Sequence, residues 1–264
     1  MPASLEQIVT ATRRKVAQAV GSADLRELEK RAEQHVPRGF RQALEKRSRS
    51  GPAVIAELKK ASPSRGLIRA NFDPARLAAE LEAAGAAALS VLTDAEFFQG
   101  SLQNLQQASA ATKLPCLRKD FIVDELQLLE ARASRADAVL LIVAALAQPE
   151  LEALAGKARR YNLDVLCEVH DEKELQRAIA AGCDLIGVNS RDLRTFAVDL
   201  QTAFRLAGLM PENVLSVAES GIQNGKDIGR LRAAGYQAFL IGESLMKAAS
   251  PGNELRTLIA QAES

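Results

Sequence analysis

The chain has 264 residues, a length that α/β barrels commonly take as one unit. Hydrophobic residues make up 47% and charged residues 25%, which excludes wholesale disorder, and a net charge of +1 argues against a general nucleic-acid binder. Aromatic residues are only 4%, with no Trp, so the core must be built from Leu, Val, Ile and Ala.

The first fifty residues read as helical over Ser4 to Val20 and roughly Arg38 to Arg47. Their positive excess, densest at Arg13-Arg14-Lys15 and Arg47 to Arg49, reads as a solvated helix face, and His35 as a surface residue. Short apolar runs follow: Ala53 to Ala56, Ala88 to Leu92, Pro115 to Leu117, Ala138 to Val143, Val165 to Cys167, Leu185 to Val188, Val214 to Ala218 and Ala238 to Ile241. Amphipathic stretches such as Pro74 to Ala84, Gln148 to Tyr161, Glu172 to Ala181 and Lys226 to Ala234 lie between them. Strands apolar on both faces that alternate with helices imply a parallel sheet covered by helices. Eight repeats predict α/β architecture closed as one (β/α)8 TIM barrel over residues 1–264. About 1–50 form an N-terminal helical extension, a lid or a barrel plug. Punctuation agrees: Asp73-Pro74 caps a helix start, and Gly85, Gly182 and Gly235 follow Ala-rich helix ends.

Cys116, Cys167 and Cys183 are odd in number, far apart and set in apolar runs, so they read as buried reduced thiols. No leader-like apolar segment opens the chain, and no run nears the ~20 apolar residues that span a bilayer. A cytoplasmic protein with no membrane and no nucleic-acid partner is expected, a monomer by default.

In this fold the active site lies at the C-terminal ends of the strands. Glu57-Leu58-Lys59 follows the first run, Arg118-Lys119-Asp120-Phe121 the third and Glu168-Val169-His170 the fifth. Asn189-Ser190-Arg191 follows the sixth, Glu219-Ser220-Gly221 the seventh and Gly242-Glu243-Ser244 the eighth. Glu57 and Lys59 are two apart, so they share a side. If that side is inward they meet Lys119, Glu168 and Glu219, and five such groups shift one another's pKa values into acid/base pairs. A rim salt-bridge network is the bland alternative for any one of them, but a weak account of all five. Glycines and hydroxyls after the last two strands fit the barrel's phosphate site, with ordinary Gly turns as the alternative. The loop Lys60 to Gly66 is too long for a plain turn and reads as a mobile substrate loop. His170 precedes a helix start and reads as a capping or supporting residue. No His/Asp cluster suggests a metal, and no G-x-G-x-x-G follows the first strand.

These residues carry a resemblance. The chain resembles the indole-3-glycerol-phosphate synthase family of tryptophan biosynthesis over essentially its whole length. The carrying segments are Ile55 to Ser64, Leu89 to Thr93, Leu117 to Ile122, Glu168 to His170, Gly187 to Asn189, Ala218 to Ile222 and Leu240 to Met246. Some members fuse this barrel to an isomerase barrel; this chain has room for one only. The resemblance implies a carboxy-lyase with no cofactor and no metal. Its partner is a small phosphorylated substrate, an anthranilate joined through its amine to a deoxyribulose 5-phosphate. The ring carbon bearing the carboxylate attacks the ketone carbon, carbon dioxide leaves, then water. Lys119 matches the general acid at the ketone oxygen, and Glu168 with the Glu57/Lys59 pair matches the dehydration set. Asn189, Glu219 and Ser220 match positions that orient substrate and catalytic side chains. Ser62, Pro63, Phe98, Phe121 and Arg191 match substrate-binding positions, the apolar ones holding the anthranilate ring and Arg191 pairing with the substrate carboxylate or a neighbouring Glu. Gly221, Gly242, Glu243 and Ser244 match the phosphate site.

Two departures stand out. Ser190 replaces a frequent Asn at a position expected to face away. Glu243 stands where some members have Ser, and a carboxylate beside phosphate repels it, so backbone N–H groups are expected to bind there. An Amadori-type isomerase would need Cys and Asp at strand ends, whereas the first strand ends in Glu57 and Lys59 and Cys116 lies too early in its strand. A catalytically dead barrel acting as a binding partner conflicts with the intact set Glu57, Lys59, Lys119, Glu168 and Asn189.

Overall fold

The computed structural model describes residues 4–192 and 196–263. Eight parallel strands close into a barrel: β1 (Ala53–Leu58), β2 (Ala88–Leu92), β3 (Cys116–Lys119), β4 (Ala138–Ile142), β5 (Asp164–Val169), β6 (Leu185–Asn189), β7 (Leu215–Glu219) and β8 (Ala238–Ile241). Each strand pairs with its neighbours in sequence, and β1 pairs with both β2 and β8 to close the ring. Every predicted apolar run is one of these strands. Helices follow them and cover the outside, and Gly85 (φ 96°) and Gly235 (φ 111°) take the left-handed backbone that the helix exits require.

Side chains alternate along each strand, which divides the core in two. Val54, Ala56, Cys116, Val139, Cys167 and Val188 point out to the helix layer. Ala53, Ile55, Leu117, Leu140, Leu166, Leu215, Val217 and Leu240 point in and fill the barrel. The same parity carries Glu57, Lys119, Glu168, Asn189 and Glu219 inward, one layer above that aliphatic plug. The three cysteines are free and buried.

The extension is three helices: α1 (Leu5–Val20), α2 (Leu25–Glu33) and α3 (Phe40–Ser48). The sequence reading lacked α2. It is a nine-residue helix with six charged residues and only three apolar ones, Leu25, Leu28 and Ala32, held by tertiary packing on the helix Glu125–Ala133. The extension serves both ends of the barrel. Phe40 and Leu44 of α3 are fully buried in the interior cluster and plug the N-terminal end, while Leu5 and Ile8 of α1 reach the opposite mouth. His35 is not a surface residue. It is buried, with Nε2 3.0 Å from Asp137 Oδ1, because α2 leads the chain under the barrel before α3 enters it. Among the described residues no helix is long and apolar enough to cross a membrane, and no group of His, Cys, Asp or Glu could hold a metal ion.

Candidate active site

Lys119 ends β3 and stands at the centre of the upper layer. Its Nζ donates to Glu219 Oε2 at 2.6 Å and to Glu168 Oε2 at 3.1 Å. Glu57 faces the same space and accepts from Lys59 Nζ at 2.7 Å, as the i, i+2 spacing required. The five groups are therefore one cluster. Burial by itself would discharge Lys119, but Glu219, Glu168 and Glu57 outweigh it and hold its pKa above the ordinary lysine value. Burial would raise Glu168 and Glu57. Lys119 outweighs it for Glu168, and Lys59 with Lys119 for Glu57, so both carboxyls lie below the usual range. Glu219 goes the other way. Burial and the neighbouring Glu168 overcome the pull of Lys119 and lift its pKa to about 7.

Hydrogen bonding gives the same division. Glu168 also has His170 Nε2 3.4 Å from its Oε1, and that ring gives its Nδ1 to Glu174 Oε2 at 2.9 Å. Burial would lower His170, yet Glu168 and Glu174 raise it to about 10, so it is a cation at neutral pH that supports Glu168 from behind. Glu219 Oε1 is buried and has no hydrogen-bond partner among the described residues. Glu168 thus stands between two cations, with a hydrogen bond from Lys119 and an ion-pair contact to His170, and is ionised, whereas Glu219 has one unpaired oxygen and a pKa near neutrality.

Two glycines make the carboxylates fit. A Cβ on Gly187 would lie 2.0 Å from Glu219 Oε1, and one on Gly242 would lie 2.5 Å from Glu57 Oε1. At Gly242, expected from the resemblance to contact phosphate, the Cα side is occupied by the Glu57 carboxylate, so only its backbone N–H remains for a ligand.

The cluster opens into a cavity of about 150 Å³. Among the sequence-predicted residues, Glu57, Lys59, Ser62, Pro63, Phe98, Lys119, Phe121, Glu168, Asn189, Arg191, Glu219, Ser220 and Glu243 line it. Gly221, Gly242 and Ser244 do not contribute lining. Gly221 lies against Val198 and Leu200, and the Ser244 hydroxyl is buried without a partner. The loop after β1 folds as a short antiparallel hairpin, Ala61–Ser62 with Gly66–Leu67, and turns Ser62, Pro63 and Ser64 to the cavity. Phe98 and Phe121 stand across one wall with ring centroids 6.2 Å apart, next to Leu140 and Leu240. The pocket is an apolar slot beside an acid/base cluster, with Lys59 and Arg191 among its lining. Sequence reasoning missed Leu5, Ile8 and Phe196 in the lining. For Leu5 and Ile8 the only signal was an apolar stripe on an amphipathic helix, which cannot say what it faces.

Comparison with known proteins agrees with this architecture. A family model described as indole-3-glycerol phosphate synthase matches residues 5–258. A relative named indole-3-glycerol phosphate synthase from Koribacter versatilis (strain Ellin345) is 61% identical over 259 residues, 98% of this chain and 100% of its own length. Another of the same name from Bordetella pertussis is 53% identical over 224 residues, 84% of this chain and 86% of its own. A thiamine phosphate pyrophosphorylase from Pyrococcus furiosus superposes with a TM-score of 0.61 at 17% identity, over 82% of this chain and 97% of that one. A mandelate oxidase superposes with a TM-score of 0.60 at 18% identity, over 80% and 72%. These last two share the barrel fold alone. The chain belongs to the indole-3-glycerol phosphate synthase family, carboxy-lyases of tryptophan biosynthesis.

Proposed function

We propose that the cavity at the C-terminal rim is where this chain closes the indole ring, with Lys119 as the acid of the first step. The observation that carries the reading is the placement of Lys119 Nζ between Glu168 and Glu219, under an apolar slot made by Phe98 and Phe121. The anthranilate ring fills the slot, and its sugar chain crosses the cluster toward the ends of β7 and β8. Lys119, kept cationic by its carboxylates, gives a proton to the ketone oxygen as the ring carbon attacks. General acid help of this kind is worth about 10²–10⁴-fold. The aniline nitrogen drives the attack and becomes an iminium, which then accepts the electron pair that carbon dioxide leaves behind, so the ring regains its aromaticity without a cofactor. Loss of water then needs one group to take a proton and another to deliver one to the departing hydroxyl. Glu57 with Lys59, Glu168 and Glu219 supply that set, and Glu219 is the member whose proton is exchangeable at neutral pH. Asn189 and Ser220 orient the substrate; Asn189 Oδ1 is itself fixed by the backbone N–H of Arg191 at 3.0 Å. Backbone N–H groups of Gly221, Gly242 and Glu243 take the phosphate. A cytoplasmic location belongs to the same reading, supported by three free buried thiols.

The test is to offer the anthranilate-deoxyribulose phosphate and follow indole fluorescence. With no Trp and two Tyr, the protein adds little background. Wild-type turnover together with its loss in Lys119→Ala supports the reading. Near-normal turnover in that variant overturns the role of Lys119.

A further inference from the structure

Glu243 is the residue that the repulsion argument leaves unexplained. It lies just after β8, in the cavity wall, where a carboxylate should hinder an anionic substrate. Its surroundings differ from those of an ordinary surface acid. Oε1 meets Lys247 Nζ at 2.6 Å and Arg65 Nε at 3.1 Å, and Oε2 has Arg191 Nη2 3.6 Å away. These cations come from separate segments. Arg65 is in the turn of the hairpin after β1, Arg191 follows β6, and Lys247 is one helical turn beyond Glu243.

Packing does not explain why they converge. The Arg65 and Lys247 side chains are 57% and 52% exposed and could extend into water. The Glu243 side chain is only 25% exposed and is the common partner of all three. Arg191 gives its Nη1 to the Phe196 carbonyl at 3.3 Å, which leaves Nη2 turned to the carboxylate. One negative charge in the cavity wall thus gathers three positive ones, of which Arg191 also lines the cavity and Arg65 and Lys247 lie outside the lining.

We propose that the Glu243 carboxylate is an internal stand-in for the substrate's phosphate: it holds Arg65, Arg191 and Lys247 together and yields them to the phosphate when that binds. The inference rests on placing the phosphate at the ends of β7 and β8. Partly exposed ion pairs are individually weak and exchange readily. A phosphate carries up to twice the charge of a carboxylate and has three terminal oxygens that accept forked bonds from arginine. It therefore outcompetes the carboxylate for the same cations. The carboxylate keeps the cations together and prevents adventitious anions from holding the site, at the cost of weaker phosphate binding.

This predicts the sign of a measurement. Glu243→Gln retains shape and an acceptor oxygen but removes the competing charge. Titrated with inorganic phosphate at low ionic strength, the variant should bind about fivefold tighter than wild type. The difference should shrink as salt is raised. KM for the phosphorylated substrate should fall in the same direction, and an unchanged melting temperature would show that the fold is retained. Weaker phosphate binding in the variant would mean that the carboxylate is a strut holding the arginines in place, and would overturn the proposal. Equal binding would overturn it too, since no competition would exist. If wild type turns over the substrate while the phosphate result fails, only the stand-in role is lost. If wild type does not turn over the substrate, the functional reading fails, and the phosphate comparison is still decided on its own.

Discussion

The two ends of this barrel each bury a charged network, and they are built to opposite rules. At the N-terminal end Asp137 has a side chain with no exposure, and donors surround it. Arg38 gives Nε at 3.0 Å, Nη2 at 2.5 Å and its backbone N–H at 2.7 Å, Cys116 gives its backbone N–H at 2.6 Å, and His35 Nε2 lies at 3.0 Å. Burial would raise Asp137, but the His35 and Arg38 bonds outweigh it and hold it below the ordinary aspartate value. At the C-terminal end Glu219 is equally buried, yet only one of its oxygens is paired and its pKa sits near 7. A buried carboxylate saturated with donors is a fastener. One left a donor short beside a cavity can exchange a proton at working pH.

The contrast can be broken by mutation. The largest effect expected is at the open end: Lys119→Ala lowers kcat by about 10²–10⁴-fold with little change in melting temperature. Steady-state kinetics and a thermal melt check both halves, and a collapse of the fold instead would make Lys119 a fastener as well. At the closed end, Asp137→Ala leaves Arg38 without its carboxylate, though still bonded to Ser109 and Thr112, and costs about 3–5 kcal/mol of stability in urea titration, while kcat per folded molecule stays near wild type. A loss below about 1 kcal/mol would show that the saturated network holds little.

Gly187→Ala tests the spacing that keeps Glu219 half-paired. The new Cβ would lie 2.0 Å from Oε1, so the carboxylate must shift, and kcat should drop roughly 10–100-fold. Wild-type kcat in this variant would remove Glu219 from the proposed chemistry.

The smallest effects are in pH. Glu219 has its pKa raised from 4.5 to about 7, so between those values the folded state holds more protons than the unfolded. Its contribution to stability is full below about 4.5 and is lost as pH rises to about 7. Asp137 is lowered, so its contribution is present above the ordinary aspartate range and is lost as pH falls below it. Stability measured against pH should lose its neutral-range slope in Glu219→Gln and part of its acid-side loss in Asp137→Asn. Swapped outcomes would reverse the assignment of the two ends.

The extension also divides between these regions, which alters how its role can be tested. Removing everything before Gly51 would delete Phe40 and Leu44 from the barrel interior and Arg38 from Asp137, so a raised KM could come from a damaged fold. Substituting Leu5 and Ile8 probes the mouth alone, because those residues line the cavity and make no part of the lower plug.

Much of the site was legible in the chain because strand geometry is local. Alternation puts Glu57 and Lys59 on one side of their strand, and if that side is inward an eight-stranded ring brings them to Lys119, Glu168 and Glu219; that it is inward is shown by the aliphatic plug below them. The apolar runs, the helix caps and the placement of charge at strand ends follow from short-range backbone preferences in the same way. What only the tertiary structure decided is which inward groups meet. Lys119 pairs with carboxylates from β5 and β7, strands that do not neighbour β3, and that choice depends on the curvature of a closed ring. His35 reads as a polar residue on a polar stretch until α2 carries it under Asp137, 102 residues away. Glu243 reads as a misplaced charge until two remote arginines join the lysine one turn along its own helix. Side-chain direction is set by a residue's own backbone, whereas the partner that fills a hydrogen bond is set by closure of the whole barrel.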